Sequence, residues 1–227
     1  TVSGTSISFG TPVVIRSSST DVHGNVIFDS NVNRVIFSYG GFGVAAFADS
    51  AQVSGTTLTD ITGTNWTINN GSTYDLNAVF DSGSNKSVFI YRDNSNSNQG
   101  TAIVASLASN GDFSFGSETV FNSSTTTKIS SAFDSASGKV VVAYRDGGNS
   151  NYGTAVVGTV SGTSISFGDE TVFESAQSDE ISATFDSNSN KVVISYIDQD
   201  NSSYGTAVVG TVSGTSISFE SPVVFEN

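Results

Sequence analysis

The stretch YGTAVVGTVSGTSISF at Tyr152–Phe167 occurs a second time, letter for letter, at Tyr204–Phe219. The two copies begin 52 residues apart. A period near fifty residues indicates one supersecondary unit copied along the chain, so this unit decides the fold. Within the stretch, apolar Val, Ile and Phe alternate with Ser and Thr, which predicts β-strands, and the central Ser-Gly pair predicts a two-residue hairpin turn.

The repeat register extends over nearly the whole chain. Phe-Asp-Ser occurs four times at spacings of 52, 53 and 52 residues, beginning at Phe28, Phe80, Phe133 and Phe185. A tyrosine follows eleven residues after each of these phenylalanines, at Tyr39, Tyr91, Tyr144 and Tyr196. The pattern predicts a single repeat domain over residues 1–227, with a terminal strand at 1–15 and units at approximately 16–68, 69–121, 122–173 and 174–227.

The fourth copy predicts four antiparallel strands, Ile181–Asp186, Lys191–Asp198, Gly205–Val212 and Thr215–Phe225, separated by polar turns. One such meander cannot bury its apolar faces alone, so the copies must stack. Radial stacking gives a β-propeller and linear stacking gives a solenoid. Four strands per unit favour an all-β fold of the propeller type, with four four-stranded antiparallel blades. The alternatives are a part of a larger or multi-chain propeller, or a β-solenoid array.

The last strand of the unit occurs five times, whereas the first three strands occur four times. Its copies are Thr5–Ile15, Thr57–Ile68, Asp112–Phe121, Thr163–Phe173 and Thr215–Phe225. One terminal strand is therefore surplus to a closed ring. It either lies against the closing blade or pairs with another copy of the chain by strand addition.

Composition excludes several classes of function. The net charge is −13 with eight basic residues, which argues against nucleic acid as a partner. The chain has no Cys, so thiol chemistry and disulfides are excluded. No apolar run approaches the length of a membrane span, and we expect no membrane insertion.

The stretch SGTSISFGTPVV at Ser3–Val14 resembles the outer strand of sialidase-type and kelch-type propeller blades in its spacing and its Pro12, although Ile7 or Phe9 stands where those blades have tryptophan. The whole unit, of the form ISATFDSNSNKVVISY followed by YGTAVVGTVSGTSISF, resembles repeats of surface and tail-fibre-like proteins of marine bacteria and their phages. That resemblance implies an extracellular or virion-surface module for adhesion, structural display or fibre assembly, without assigned catalytic residues.

The regular aspartate of Phe-Asp-Ser is interpreted as a turn residue, because Asp at a hairpin accepts hydrogen bonds from the turn. The loop after the second strand carries the candidate ligand-binding residues. Tyrosine beside Asp, Asn and Arg is a sugar-binding combination, which makes a multivalent glycan-binding propeller the alternative function. Asp198 and Asp200 are candidate Ca²⁺ ligands. The candidates are Tyr91, Arg92, Asp93, Tyr144, Arg145, Asp146, Asn149, Tyr152, Tyr196, Asp198, Asp200, Asn201 and Tyr204.

Catalysis has little support in the sequence. The single histidine, His23, has no repeated partner. Glu170, Glu174 and Glu180 lie in connecting segments, where a glycosidase would need one of them to face a second carboxylate. We therefore expect no enzyme and no cofactor, and we keep a glycoside-processing activity only as a remote alternative.

Overall fold

The computed structural model describes residues 2–3, 5–15, 23–40 and 44–226 and places them in antiparallel β-sheets. Within this described part there is no α-helix, and a single 3-10 turn occurs at Asn94–Asn96. The predicted all-β fold is confirmed. Its physical basis is the period-two alternation of Val, Ile and aromatic residues with Ser and Thr, which suits a pleated strand.

The strands are numbered in chain order. The first segment contains β1 (Val2–Ser3) and β2 (Ser6–Ile7). The first repeat contains β3 (His23–Asp29), β4 (Arg34–Gly40), β5 (Ala46–Ser54), β6 (Thr57–Thr59) and β7 (Trp66–Asn69). The second and third contain β8 (Thr73–Asp81), β9 (Lys86–Asp93), β10 (Gln99–Leu107), β11 (Phe113–Phe115), β12 (Thr119–Asp134), β13 (Lys139–Asp146), β14 (Tyr152–Ser161) and β15 (Ser164–Phe167). The last strands are β16 (Thr171–Asp186), β17 (Lys191–Asp198), β18 (Tyr204–Ser213), β19 (Ser216–Phe219) and β20 (Val223–Glu226).

Each repeat forms the predicted four-stranded meander, but its fourth strand is divided in two. In the fourth repeat β17 pairs with β18, and β18 then pairs with both β19 and β20. The prediction of one continuous strand over Thr215–Phe225 is therefore wrong. The ladder is interrupted between Phe219 and Val223, where Glu220 N–H still donates to Val209 O. The same interruption lies between Phe167 and Thr171, where the chain has no proline, so Pro222 is not its cause.

Two long strands connect consecutive repeats without a loop. The first part of β16 pairs with β14 of the third repeat, and its second part pairs with β17 of the fourth. β12 joins the second and third repeats in the same way. The approximate unit boundaries after 121 and 173 thus fall inside β12 and β16, and strands β8 to β20 form one 13-stranded sheet.

The repeats stack through both faces of their central strands. Val142 and Val156 face the second repeat and belong to its apolar cluster. Their neighbours Val141 and Val157 point to the opposite side and pack with residues of the fourth repeat. Three such clusters lie between the four repeats, so the core of the protein is the series of interfaces between sheets.

The two outermost faces of this series are open. Val26 in the first repeat is 63% exposed, and Val209 in the fourth is 37% exposed. Among the described residues no apolar cluster joins the fourth repeat to the first. Closure into a ring and the number of blades therefore stay predictions.

The segment before the first repeat lies against that repeat as the last strand of a preceding sheet would. A Cβ on Gly10 would lie 1.7 Å from the carbonyl oxygen of Thr56, in the β5–β6 hairpin. Gly168 of the third repeat approaches Thr215 of the fourth in the same way, at 2.0 Å. The pairing of β1 with β2 also repeats the pairing of β14 with β15. The segment is thus a partial copy of the repeat, but the prediction of one terminal strand over residues 1–15 is wrong, because only Val2–Ser3 and Ser6–Ile7 form strands and residues 8–14 lie in none.

Candidate functional site

The aspartates of Phe-Asp-Ser shape the turn between the first two strands of each repeat. In every copy the carboxylate Oδ1 accepts a hydrogen bond of 2.9 Å from the N–H two residues further along the chain. The prediction of a structural turn is confirmed. The hydroxyl of Ser189, followed by the N–H of Asn188, lowers the pKa of Asp186 because these donors stabilise its carboxylate. The four aspartates are Asp29, Asp81, Asp134 and Asp186.

The loop after the second strand begins with a buried aspartate in three repeats, namely Asp93, Asp146 and Asp198. Asp198 Oδ1 accepts hydrogen bonds from the N–H groups of Asp200 and Asn201, at 3.1 and 3.2 Å. Asp93 and Asp146 accept the equivalent bond from the N–H two residues ahead, at 3.0 and 2.9 Å. These carboxylates organise their own loops, in the manner of Asx turns.

The tyrosines near the ends of the second strands are buried between repeats. Tyr144 is fully buried, and its hydroxyl donates a hydrogen bond of 2.6 Å to Glu170 Oε1. Burial first, and the glutamate second, raise the pKa of this phenol far above its usual range. The ring of Phe121, from the preceding repeat, lies 5.3 Å away in an edge-to-face arrangement. Buried on all sides, this tyrosine has no ring face open to a sugar.

The same contact recurs along the chain with one change of partner. Tyr91 donates to Glu118 Oε1 at 2.6 Å and has the same upward shift of its pKa. At the position of Glu170 the fourth repeat has Pro222, and Tyr196 instead donates to Glu174 Oε2 at 2.8 Å. The sequence analysis did not single out Glu118, although it lies 52 residues before Glu170 and therefore at the equivalent position of the repeat.

Arg92 and Arg145, which occupy equivalent positions, bind carboxylates in different ways. Arg145 Nη1 lies 2.5 Å from Asp179 Oδ1, so this ion pair joins the third repeat to the fourth. Arg92 Nε lies 3.2 Å from Asp75 Oδ2, and its guanidinium lies over the ring of Tyr74, 4.4 Å from the centroid. The two arginines do not form a common cluster for a substrate carboxylate.

An ion pair and a backbone contact connect the first strands of three repeats. Lys128 Nζ lies 2.6 Å from Glu180 Oε1, while the N–H of Lys128 donates to Asp75 Oδ1 at 3.3 Å. All three residues have positive φ at a β-bulge. Glu180 thus forms an ion pair that joins the third repeat to the fourth. His23 begins β3 at the corresponding register position, and its side chain lies outside the described part of the structure.

The remaining loop candidates lie at the surface. Asn149, Asp200 and Asn201 are exposed, whereas Tyr152 and Tyr204 are half-buried. Of the predicted residues, these five and the partly exposed Arg92 and Arg145 present polar or aromatic groups to solvent. The five mark the loop tips of the third and fourth repeats as a part of the predicted site that a soluble ligand can reach.

One open depression of about 420 Å³ brings Tyr196 and Tyr204 together on the outer face of the fourth repeat. Its other walls include Glu180, Ile197, Phe225 and Glu226. Phe225 is 62% exposed here, while Phe173, its counterpart in the third repeat, is 6% exposed because the fourth repeat covers it. The depression is therefore one half of a repeat-to-repeat interface.

The geometry offers no assembled metal cage in the described residues, where no three His, Cys, Asp or Glu side chains converge. Asp198 and Asp200 lie in one loop, and one oxygen of Asp198 is already bound to two N–H groups. Calcium at this loop stays a prediction.

The comparisons with known proteins add no family. No protein-family model matches the chain, and a search of curated proteins finds no match. Within the described residues, none of the helical structure is long and apolar enough to cross a membrane.

Proposed function

We propose that the protein is a non-enzymatic repeat scaffold that acts at an extracellular, cell or virion surface, in adhesion, structural display or fibre assembly. The proposed architecture is a series of four-stranded propeller-type blades, four of them in this chain. The open end faces favour part of a larger or multi-chain propeller, or a β-solenoid array, over a ring that four blades close by themselves.

One observation carries this proposal: the regularly repeated polar groups serve the architecture. The loop aspartates hold their own turns, and the buried tyrosines of the second strands donate to glutamates at the edges of the interfaces, of which Glu170 is exposed. Glu170, Glu174 and Glu180 each bind a different residue, namely Tyr144, Tyr196 and Lys128. A general acid or nucleophile needs a reactive oxygen directed into a substrate cleft, and these contacts instead support a structural role.

The loop tips are the regions best suited to display. The first repeat has a shorter loop after Tyr39, which indicates that the loop is dispensable for the fold. Lengthening a surface loop costs little, since the closure entropy rises only slowly with loop length. A peptide tag inserted between Gly148 and Asn149 is therefore expected to leave the unfolding midpoint nearly unchanged. The same tag between Val141 and Val142, which are fully buried in β13, should abolish folding.

A panel of chromogenic glycosides and a glycan array test the absence of catalysis and of sugar binding. The scaffold proposal expects neither turnover nor retention of any glycan. Turnover that is lost in Glu170→Gln but not in the surface variant Asp169→Asn would contradict the proposal and favour the glycosidase alternative.

The second candidate is a multivalent glycan-binding propeller. Half-buried Tyr152 and Tyr204 beside exposed Asn149 and Asn201 support it, because an aromatic face next to amide groups suits a sugar ring. Retention on the array that disappears in a Tyr152→Ala, Tyr204→Ala double variant would establish this candidate. The matched control is Val209→Ala, a truncation of an exposed side chain outside these loops.

A further inference from the structure

The two end sheets expose the two halves of an interface that the chain already builds internally. Val157 and Ala155 of the third repeat are fully buried against the fourth repeat. Their counterparts in the fourth repeat, Val209 and Ala207, are exposed and half-buried. The fourth repeat thus presents the same apolar surface that the third repeat uses to bind its neighbour.

The first repeat presents the complementary half. Phe28 is 50% exposed on its outer face, whereas its counterparts Phe133 and Phe185 pack against the apolar clusters shared with the preceding repeats. Both end faces are open in the same molecule, so they do not cover each other within one chain. The first repeat thus exposes the residue type that the third and fourth repeats bury against the repeat before them.

A close backbone contact restricts the residue type at two of the three internal junctions. There the fourth strand carries a glycine where a Cβ would lie within 2.0 Å of a carbonyl oxygen in the next hairpin. Gly116 meets Thr163, and Gly168 meets Thr215. At the junction of the first and second repeats Thr62 takes this place, and its side chain lies against Gly111. In the fourth repeat this position is Glu220, whose side chain the same contact would not admit.

The first segment of the chain has the residue that the junction needs. SISFGTPVVI at Ser6–Ile15 matches SISFESPVVF at Ser216–Phe225, with Gly10 in the place of Glu220. Gly10 already lies against Thr56 of its own first repeat in the required contact. Residues 6–15 therefore fit both the first repeat that carries them and the pairing edge of β18.

We propose that the chain self-associates head to tail: the open face of the fourth repeat binds the first repeat of a second copy, and residues 6–15 of that copy replace residues 216–225 on β18. By the register of β18 with β19, Ile7 then lies opposite Val212, which takes the place that Val2 of β1 occupies in the single chain. This inference rests on the proposed scaffold function and names its partner as another copy of the chain.

The sequence register shows the same complementarity at one further position. Inside the chain, Arg145 of the third repeat pairs with Asp179 of the fourth. In the fourth repeat Ile197 stands at the position of Arg145. In the first repeat Val22 stands at the position of Asp179, because Val22 lies six residues before Phe28 as Asp179 lies six residues before Phe185. Val22 lies outside the described residues, so its place follows from the sequence register alone.

Sedimentation velocity of the full chain at increasing concentration tests the association. We expect dimers and longer species whose fraction rises with concentration and with salt, because the net charge of −13 opposes the contact of two copies. Gly10→Glu should remove these species, because its side chain cannot lie against Thr56. Thr11→Glu adds the same charge at an exposed neighbouring position and should leave them unchanged. A wild-type chain that stays monomeric throughout, or a Gly10→Glu variant that assembles normally, overturns the inference.

Disulfide trapping tests the exchanged strand directly, since the chain has no cysteine of its own. Ile7→Cys protein is mixed with Val212→Cys protein and oxidised. A mixed dimer is expected in several-fold greater yield than with Val160→Cys, the matched control. Val160 lies in the identical sixteen-residue stretch, but the fourth repeat follows its strand pair within the same chain. Equal yields overturn strand exchange, whereas glycan retention or glycoside turnover would instead count against the scaffold function.

Discussion

Val157 and Val209 occupy the same place in two identical sixteen-residue stretches but differ in their tertiary surroundings. Val157 is fully buried against the fourth repeat, and Val209 is 37% exposed on the open face. Replacing either valine by alanine removes the same two methyl groups and changes the intrinsic strand preference equally. Any difference in the free energy of unfolding therefore reports the packing between repeats.

The expected losses follow from burial. Two buried methyl groups contribute about 1.6 kcal/mol, and an unfilled cavity raises the cost of Val157→Ala to about 2–3 kcal/mol. Val209→Ala removes methyl groups that solvent partly reaches and leaves no closed cavity, so it should cost about 1 kcal/mol. The difference of about 1.5 kcal/mol corresponds to more than a tenfold change in the folding constant.

Val156 and Val208 supply the matched controls, since both are buried against the preceding repeat. Alanine at these two positions should cost the same. Equilibrium urea unfolding, followed by circular dichroism and by the fluorescence of Trp66 at a concentration where the chain is monomeric, gives the four values. Coincident transitions of the two probes support two-state analysis. Equal losses at 157 and 209 would refute the asymmetry between the repeats.

Three further predictions follow from the buried contacts. Tyr144→Phe should cost about 1–2 kcal/mol, because it removes the hydrogen bond to Glu170, while Tyr152→Phe should change urea stability by less than about 0.5 kcal/mol. Gly168→Ala forces a Cβ against a backbone carbonyl and should lower the free energy of unfolding by about 2–3 kcal/mol. Gly162→Ala, at positive φ in an open turn, should lower it by about 1 kcal/mol. Equal losses at the two positions would contradict the close contact of Gly168. Stability should also fall above a pH of about 10, where the unfolded chain loses tyrosine protons that the folded protein retains. Unfolding curves across that range should show a smaller fall in Tyr144→Phe, and a flat profile would contradict the raised pKa values of Tyr91, Tyr144 and Tyr196.

Much of the repeat was predictable because its signals are local. The alternation in ISATFD and KVVISYID predicted strands that the structure contains, and Asp186 marked the turn between them. The division of the last strand around Pro222 was missed, since alternation alone does not show where a ladder is interrupted. The continuity of β16 across two repeats was also missed, because pairing with two different sheets is a property of the stack.

The candidate site shows a similar limit. The sequence correctly showed that Asp and Tyr recur at regular positions of the repeat. It could not show that Asp146 accepts a hydrogen bond from its own loop or that Tyr144 is buried under Phe121. The partner of Tyr144 is Glu170, 26 residues further along the chain. Such pairings depend on how the strands fold back, and spacing alone does not define them.

The sequence by itself determined the unit: four antiparallel strands, their turns, and four successive copies, because side-chain alternation and turn chemistry act over a few residues. Only the tertiary structure decided which copies of the same letters are covered. Val157 and Val209 have identical neighbours along the chain, yet Val157 is fully buried and Val209 is exposed. Burial depends on whether another sheet stacks on that face.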